Sequence, residues 1–220
     1  MGLWHTWTSL LGEGLHAFTA FGLSDAAAIL LLTIAARLVL LPVSFRTALR
    51  AQDNKRRLLA LKPELEALKA RHAGDAAALS AATMVLYRER GISFVDRWLL
   101  AHAATQGVFG LGMYQALRAS PPAAPFLWIA SLARPDAWLT LAVTLLMAAG
   151  LAAAPGTSME PAAIAALVMS VMLSAWVLWS APAGLGLYWA GSNLVTLGQS
   201  LALRAVVARR ARGESLTPAR

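Results

Sequence analysis

The chain is 220 residues long, 58% hydrophobic and only 14% charged, with a mean hydropathy of +0.59 and a net charge of +8. A soluble domain is about 45–50% apolar and about 25% charged, so this balance predicts a multi-pass membrane protein. The absence of cysteine excludes disulfides, thiolate metal sites, a cysteine nucleophile and a lipoprotein anchor.

In chain order, residues 1–23 come first. Within them "WHTWTSLLGEGLHAFTAFGL" alternates Trp, His and Phe with polar residues. This predicts an amphipathic helix lying at the outer interface, where tryptophan is favoured. The first basic residue is Arg37, so the usual charged start of a signal peptide is missing and the first span is expected to act as its own targeting signal. Residues 24–45 form that span, with the apolar core "AAAILLLTIAARLVLLPVSF" at 26–45.

Residues 46–97 change character and carry eleven Lys and Arg residues. Leu58, Leu61, Leu65 and Leu68 are spaced three, four and three, as in a heptad seam. His72-Ala73-Gly74-Asp75 supplies a turn, and Leu79, Thr83 and Leu86 continue a return helix. The pattern predicts a cytoplasmic helical hairpin with arms of about 25 residues, or about 37 Å, and Pro63 is expected to kink or restart the first arm. Residues 98–204 then hold four further spans, at 98–117, 137–154, 162–180 and 184–203. Residues 205–220 are a short basic tail.

The loop charges set an orientation. Sixteen basic residues fall in 46–97 and in the C-terminal stretch from Arg204 onward, whereas only Arg118 and Arg134 lie on the opposite side. Positive loops stay inside, so the N-terminus is expected outside and the C-terminus in the cytoplasm, consistent with five spans. The remaining basic residue, Arg37, sits near the middle of the first span. An arginine there costs about 2.5–3.5 kcal/mol even on lenient insertion scales, and the apolar runs contain no acid to pair it, Asp25 and Asp96 sitting only at their ends. It is expected to face a wet cavity inside the bundle.

Other spans carry polar stripes that suit the same cavity. Thr33, Arg37 and Ser44 share one face of the first span, at 100° per residue. His102, Thr105, Gln106 and Met113 share a face of the second, and Tyr188, Ser192, Thr196 and Gln199 run along one stripe of the fifth. A stripe of this kind has no reason to face lipid.

These segments, taken in order, resemble the YidC-type membrane protein insertases and their mitochondrial Oxa and chloroplast Alb relatives. "LLTIAARLVLLPVSFR" looks like that family's first core span, with its groove arginine at Arg37 and its proline at Pro42. "LALKPELEALKARHAGD" followed by "LYRERGI" looks like its cytoplasmic hairpin, and "FLWIASLARPD" like its external loop. "APAGLGLYWAGSNLVTLGQ" resembles its last span, matching at Pro182, Gly184, Tyr188, Trp189, Ser192, Asn193 and Gln199. The chain departs from the family where Ser93-Phe94 replaces Asn-Pro and where Gly107 follows Gln106 in place of proline. It looks like a minimal or divergent paralogue.

The resemblance implies an all-α, five-span membrane protein of the bacterial inner membrane that is not an enzyme and needs no cofactor or metal. It implies insertion of small membrane proteins, whose hydrophilic tails cross through a positively charged groove. That groove would comprise Arg37, Thr33, Ser44, His102, Thr105, Gln106, Tyr188, Trp189, Ser192, Asn193, Thr196 and Gln199. Implied partners are newly made membrane proteins and the lipid bilayer, with the Sec translocon by family resemblance alone and no DNA. The basic tail suits either ribosomal RNA phosphates or anionic headgroups. Two rival readings are a dedicated assembly chaperone without general insertase activity and a small-molecule channel or transporter. The second lacks the inverted repeats and paired broken helices that would support it.

Overall fold

The computed structural model describes residues 2–92, 97–156 and 161–215. Eight helices follow in order among these described residues: α1 (Leu3–Ala20), α2 (Asp25–Ala60), α3 (Lys62–Arg71), α4 (Ala76–Glu89), α5 (Arg97–Ala119), α6 (Ala137–Ala153), α7 (Pro161–Ser180) and α8 (Ala183–Ser215). The fold is all-helical, and a single isolated bridge, Phe126 to Ile129, is the extent of β pairing among the described residues. The chain divides into two compact units, Met1–Pro42 with Thr105–Arg220, and Val43–Ala104.

Two expected boundaries are not helix ends. The first span was expected to stop at residue 45, but α2 runs unbroken for 36 residues, about 54 Å. Pro42 lies inside it and cannot donate to the carbonyl four residues back. Likewise α8 continues through the basic segment to Ser215, so 205–215 is helix. Both extensions are rich in Ala and Arg, which hold a helix well once it has started.

In the smaller unit, α2 gives way at Leu61 and α3 restarts at Lys62, with Pro63 in its first turn, where its missing N–H is harmless. Gly74, at φ 95°, turns the chain, and the Asp75 side chain accepts from the Ala78 N–H at 2.9 Å to cap α4. α3 and α4 pack on each other, and Arg90 reaches both carboxylate oxygens of Glu64 at 2.8 and 2.9 Å. That pair is well exposed and contributes at most about 1 kcal/mol. Leu58, Leu65, Leu68, Leu79, Thr83 and Leu86 are half-buried. α3 and α4 have 10 and 14 residues, and α3 follows directly on the end of α2.

The larger unit is built around α6 and α8. Glycines let these helices approach: an ideal Cβ on Gly186 would lie 2.7 Å from Leu139 Cδ2. Its core centres on Ile29, Met113, Leu132 and Val143, all essentially excluded from solvent. α1 is fastened to α5. Trp4 Nε1 donates to Gln115 Oε1 at 2.8 Å, Trp7 Nε1 donates to the Val108 carbonyl at 3.3 Å, and Leu11 is buried. The Trp7, Phe109 and Tyr188 rings form a chain with centroids 6.3 and 5.9 Å apart.

Gly112 makes the α1 contact possible, because an ideal Cβ there would stand 2.5 Å from Trp7 Nε1 and 2.7 Å from Leu11 Cδ1. Alanine normally favours a helix over glycine by about 0.8–1 kcal/mol. At Gly112 the sign should reverse, since overpacking costs about 1–3 kcal/mol. Gly112→Ala is expected to lower the thermal midpoint in detergent and expose α1 to protease. Gly107→Ala, where a Cβ meets nothing within 4 Å, is expected to raise the midpoint.

Among the described residues, two helices are long and apolar enough to cross a membrane, Asp25–Ala60 and Ala163–Ser180, and α6 is a shorter apolar helix. The exposed faces of α6 and α7 are strongly apolar and include Leu145, Met169, Met172 and Leu173. An apolar surface of this size marks contact with lipid or protein.

Candidate functional site

The chemistry begins at Arg37. It sits twelve residues into α2, half-buried, and its Nε donates to Ser192 Oγ on α8 at 3.1 Å. Ser192 is itself buried. The guanidinium is thereby held by a hydroxyl, which accepts a hydrogen bond and leaves the positive charge unneutralised.

Arg37 borders an open cavity of about 550 Å³. Its polar walls come from Gln106 and Tyr114 on α5, Ser174 on α7, and Tyr188, Ser192 and Asn193 on α8. Leu111, Met147, Val177, Leu185 and Trp189 supply the apolar walls, so α2, α5, α6, α7 and α8 all contribute. Arg37 is the charged side chain among these described lining residues. Gln106 Oε1 is buried here and meets no donor among the described residues. A buried carbonyl oxygen without a donor costs about 1–3 kcal/mol, so this atom is primed to accept from whatever enters. Gly110 opens the α5 wall, since an ideal Cβ would lie 3.0 Å from the Tyr188 hydroxyl.

Arg37, Gln106, Tyr188, Trp189, Ser192 and Asn193, all anticipated from sequence, therefore share one cavity. Others lie elsewhere. Thr33 is fully buried, donates to its own backbone at the Ile29 carbonyl (2.7 Å), and packs its methyl side at Gly191. Thr196 bonds the Ser192 carbonyl at 2.9 Å, one turn back on α8. Thr105 is exposed, and Gln199 is half-buried farther along α8. None of these four lines the cavity. Ser44 is buried in the smaller unit, and His102 lies on α5 with its side chain outside the described residues. Ser93 and Phe94 also fall outside them.

Reading polar stripes missed Tyr114, Met147 and Ser174. Gly107, Gly110, Leu111 and Tyr114 recur at helical spacing on α5, so the α5 wall was legible as a glycine-lined face ending in a tyrosine. Met147 and Ser174 carried no signal, being one thioether and one hydroxyl in otherwise apolar helices.

A search for relatives agrees with this architecture. The family model described as 60Kd inner membrane protein matches residues 16–210. A protein of Fusobacterium nucleatum named membrane protein insertase YidC is 29% identical over 81% of this chain and 83% of its own length. One of Lactiplantibacillus plantarum, named membrane protein insertase YidC 1, is 32% identical over 82% of this chain. One of Neisseria meningitidis serogroup B, named membrane protein insertase YidC, is 33% identical over 85%. The chain spans 62% of the second relative and 34% of the third. The crystal structure of an active YidC insertase, with its first transmembrane domain resolved, superposes with a TM-score of 0.58 at 22% identity, over 88% of this chain and 45% of that one. At that identity the likeness speaks for the fold. With the family model matched along nearly the whole chain, this protein belongs to the YidC/Oxa/Alb insertase family.

Proposed function

We propose that this protein inserts small membrane proteins into the bacterial inner membrane, passing a short hydrophilic tail of the substrate through the cavity at Arg37. The observation that carries the reading is an arginine with no acidic partner among the described residues, on the wall of a cavity of about 550 Å³ lined by α2, α5, α6, α7 and α8. Opposite charges a few ångströms apart attract more strongly in a low-dielectric site than in water, so an acidic tail gains by entering. Gln106 Oε1 and Asn193 offer hydrogen bonds to a polar segment stripped of water. The apolar helix of the substrate slides along α6 and α8 into lipid, and its transfer out of water, with the membrane potential on acidic tails, drives the process. No covalent bond changes and no cofactor takes part.

In the proposed topology five helices span the bilayer. The N-terminus lies outside, and the basic segment 46–97 and the end of α8 lie in the cytoplasm. The α3–α4 pair and the arginines Arg209, Arg210 and Arg212 receive substrate and meet anionic headgroups or ribosomal RNA.

A dedicated assembly chaperone is the second reading, favoured by Gly107 beside Gln106, where the family carries proline. Reconstitution separates the two. The purified protein in vesicles should protect a single-span substrate with an acidic tail from external protease. No protection, with a validated insertase active in parallel, would overturn general insertase activity in favour of the chaperone.

A further inference from the structure

The loop from 120 to 136 carries a tight turn with a misplaced residue. Phe126 and Ile129 exchange backbone hydrogen bonds of 2.9 and 2.8 Å, leaving Leu127 and Trp128 as the two residues at the tip. A two-residue turn of this kind asks for glycine wherever φ is positive. Leu127 stands there with φ 51°, the one non-glycine residue with positive φ among those described. It is not held by packing, being 76% exposed, and Trp128 beside it is 56% exposed. A strained backbone that displays a large apolar side chain to the outside is explained if the side chain itself is what the site requires.

The surroundings say what that side chain meets. Trp128 Nε1 donates to Asp136 Oδ1 at 3.2 Å, and Asp136 also caps α6, so the tip is fixed to the start of that helix. Trp138 in the first turn of α6 and Trp176 and Trp179 in the last turns of α7 are all exposed. The same end is tied together where Ala183 and Gly184 donate to the Arg134 and Leu132 carbonyls. Four of the eight tryptophans of the chain thus gather where the exposed apolar sides of α6 and α7 end. Tryptophan concentrates at the headgroup level of a bilayer, so the tip continues a lipid-facing surface at its margin. Arg134 in the same loop is exposed and suits a lipid phosphate.

We propose that Leu127 and Trp128 form a wedge that enters the headgroup and upper acyl region of the adjoining leaflet, the outer one in the proposed topology, and anchors this end of the protein to lipid. The partner is the bilayer surface. The wedge is independent of substrate passage at Arg37.

Because the chain has no cysteine, Leu127→Cys provides a unique attachment point for a nitroxide. The full-length labelled protein is reconstituted in phosphatidylcholine–phosphatidylglycerol vesicles, and collisions with oxygen, enriched in lipid, are compared with those of a water-soluble nickel chelate. A control label sits at Glu66→Cys, exposed on α3. The oxygen-to-nickel ratio is expected to be several-fold higher at position 127 than at 66, and equal ratios would overturn the wedge. A second variant, Leu127→Gly, relaxes the turn. Its thermal midpoint in detergent should equal or exceed that of the wild type, because the leucine serves lipid and not the core. A fall of several degrees would assign Leu127 to folding and would also overturn the proposal.

Discussion

Replacing Arg37 by alanine is expected to cut insertion of an acidic-tailed substrate by roughly tenfold in vesicles, since hydrogen bonds to charged groups contribute about 1.5–3 kcal/mol. A substrate with a neutral tail should lose no more than about twofold. The difference follows from the site: removing the guanidinium leaves Gln106, Ser174, Tyr188, Ser192 and Asn193 in place, so the cavity stays polar but loses its charge. Arg37→Lys should retain part of the activity. An ammonium keeps the charge but not the planar fork, and it cannot reproduce the Nε–Ser192 bond while presenting further donors in the same plane. Ser192→Ala should show a smaller loss, because the charge remains and only its orientation is released. Protease protection across these variants, for the two tails, is the measurement. If Arg37→Ala inserted both substrates as well as the wild type, the charge would have no part in transfer, although family membership would stand.

Some of this architecture is plain in the sequence, for reasons that can be named. Arg37 stood out because a permanent charge within twenty apolar residues has few tolerable environments. The α3–α4 pair was marked by leucines at heptad spacing and by the turn at Gly74, and Pro63 announced the restart of a helix. What a stripe cannot report is where a hydroxyl spends its hydrogen bond. Thr33 and Ser192 looked alike as polar residues on helix faces near Arg37. Yet Thr33 satisfies itself on its own helix and packs at Gly191, while Ser192 turns to the arginine. A threonine or serine in a helix has its own i−4 carbonyl within reach, so periodicity alone does not distinguish the two. Helix ends were hidden for a related reason. The end of the apolar run near residue 45 and the start of the basic run near 205 mark changes of surroundings, and the backbone continues through both. The strained turn at Leu127 was invisible because leucine carries no turn signal.

Leu132→Ala is expected to be among the most destabilising single substitutions in the larger unit, at about 2–5 kcal/mol. Leu132 is 0% exposed in the loop from 120 to 136 and packs into the core around Ile129 and Ala183. Its backbone does a second task. The first N–H groups of a helix have no partner within it, and at α8 those of Ala183 and Gly184 donate to the carbonyls of Arg134 and Leu132, both at 2.9 Å. The leucine side chain therefore anchors the loop that caps the helix bearing Tyr188, Ser192 and Asn193. Truncation leaves a cavity and loosens the cap together. Leu145→Ala is the contrast: it removes the same atoms from an exposed face of α6, creates no internal cavity, and should shift stability by about 0.5 kcal/mol or less. Leu132→Met, which roughly conserves volume, should cost less than about 1.5 kcal/mol. Unfolding in mixed detergent micelles reads all three, and protease cleavage between residues 120 and 136 reports whether the loop has come free. Equal stability of Leu132→Ala and Leu145→Ala would show that the loop is a passive connection and that α8 is held by its contact with α6 alone.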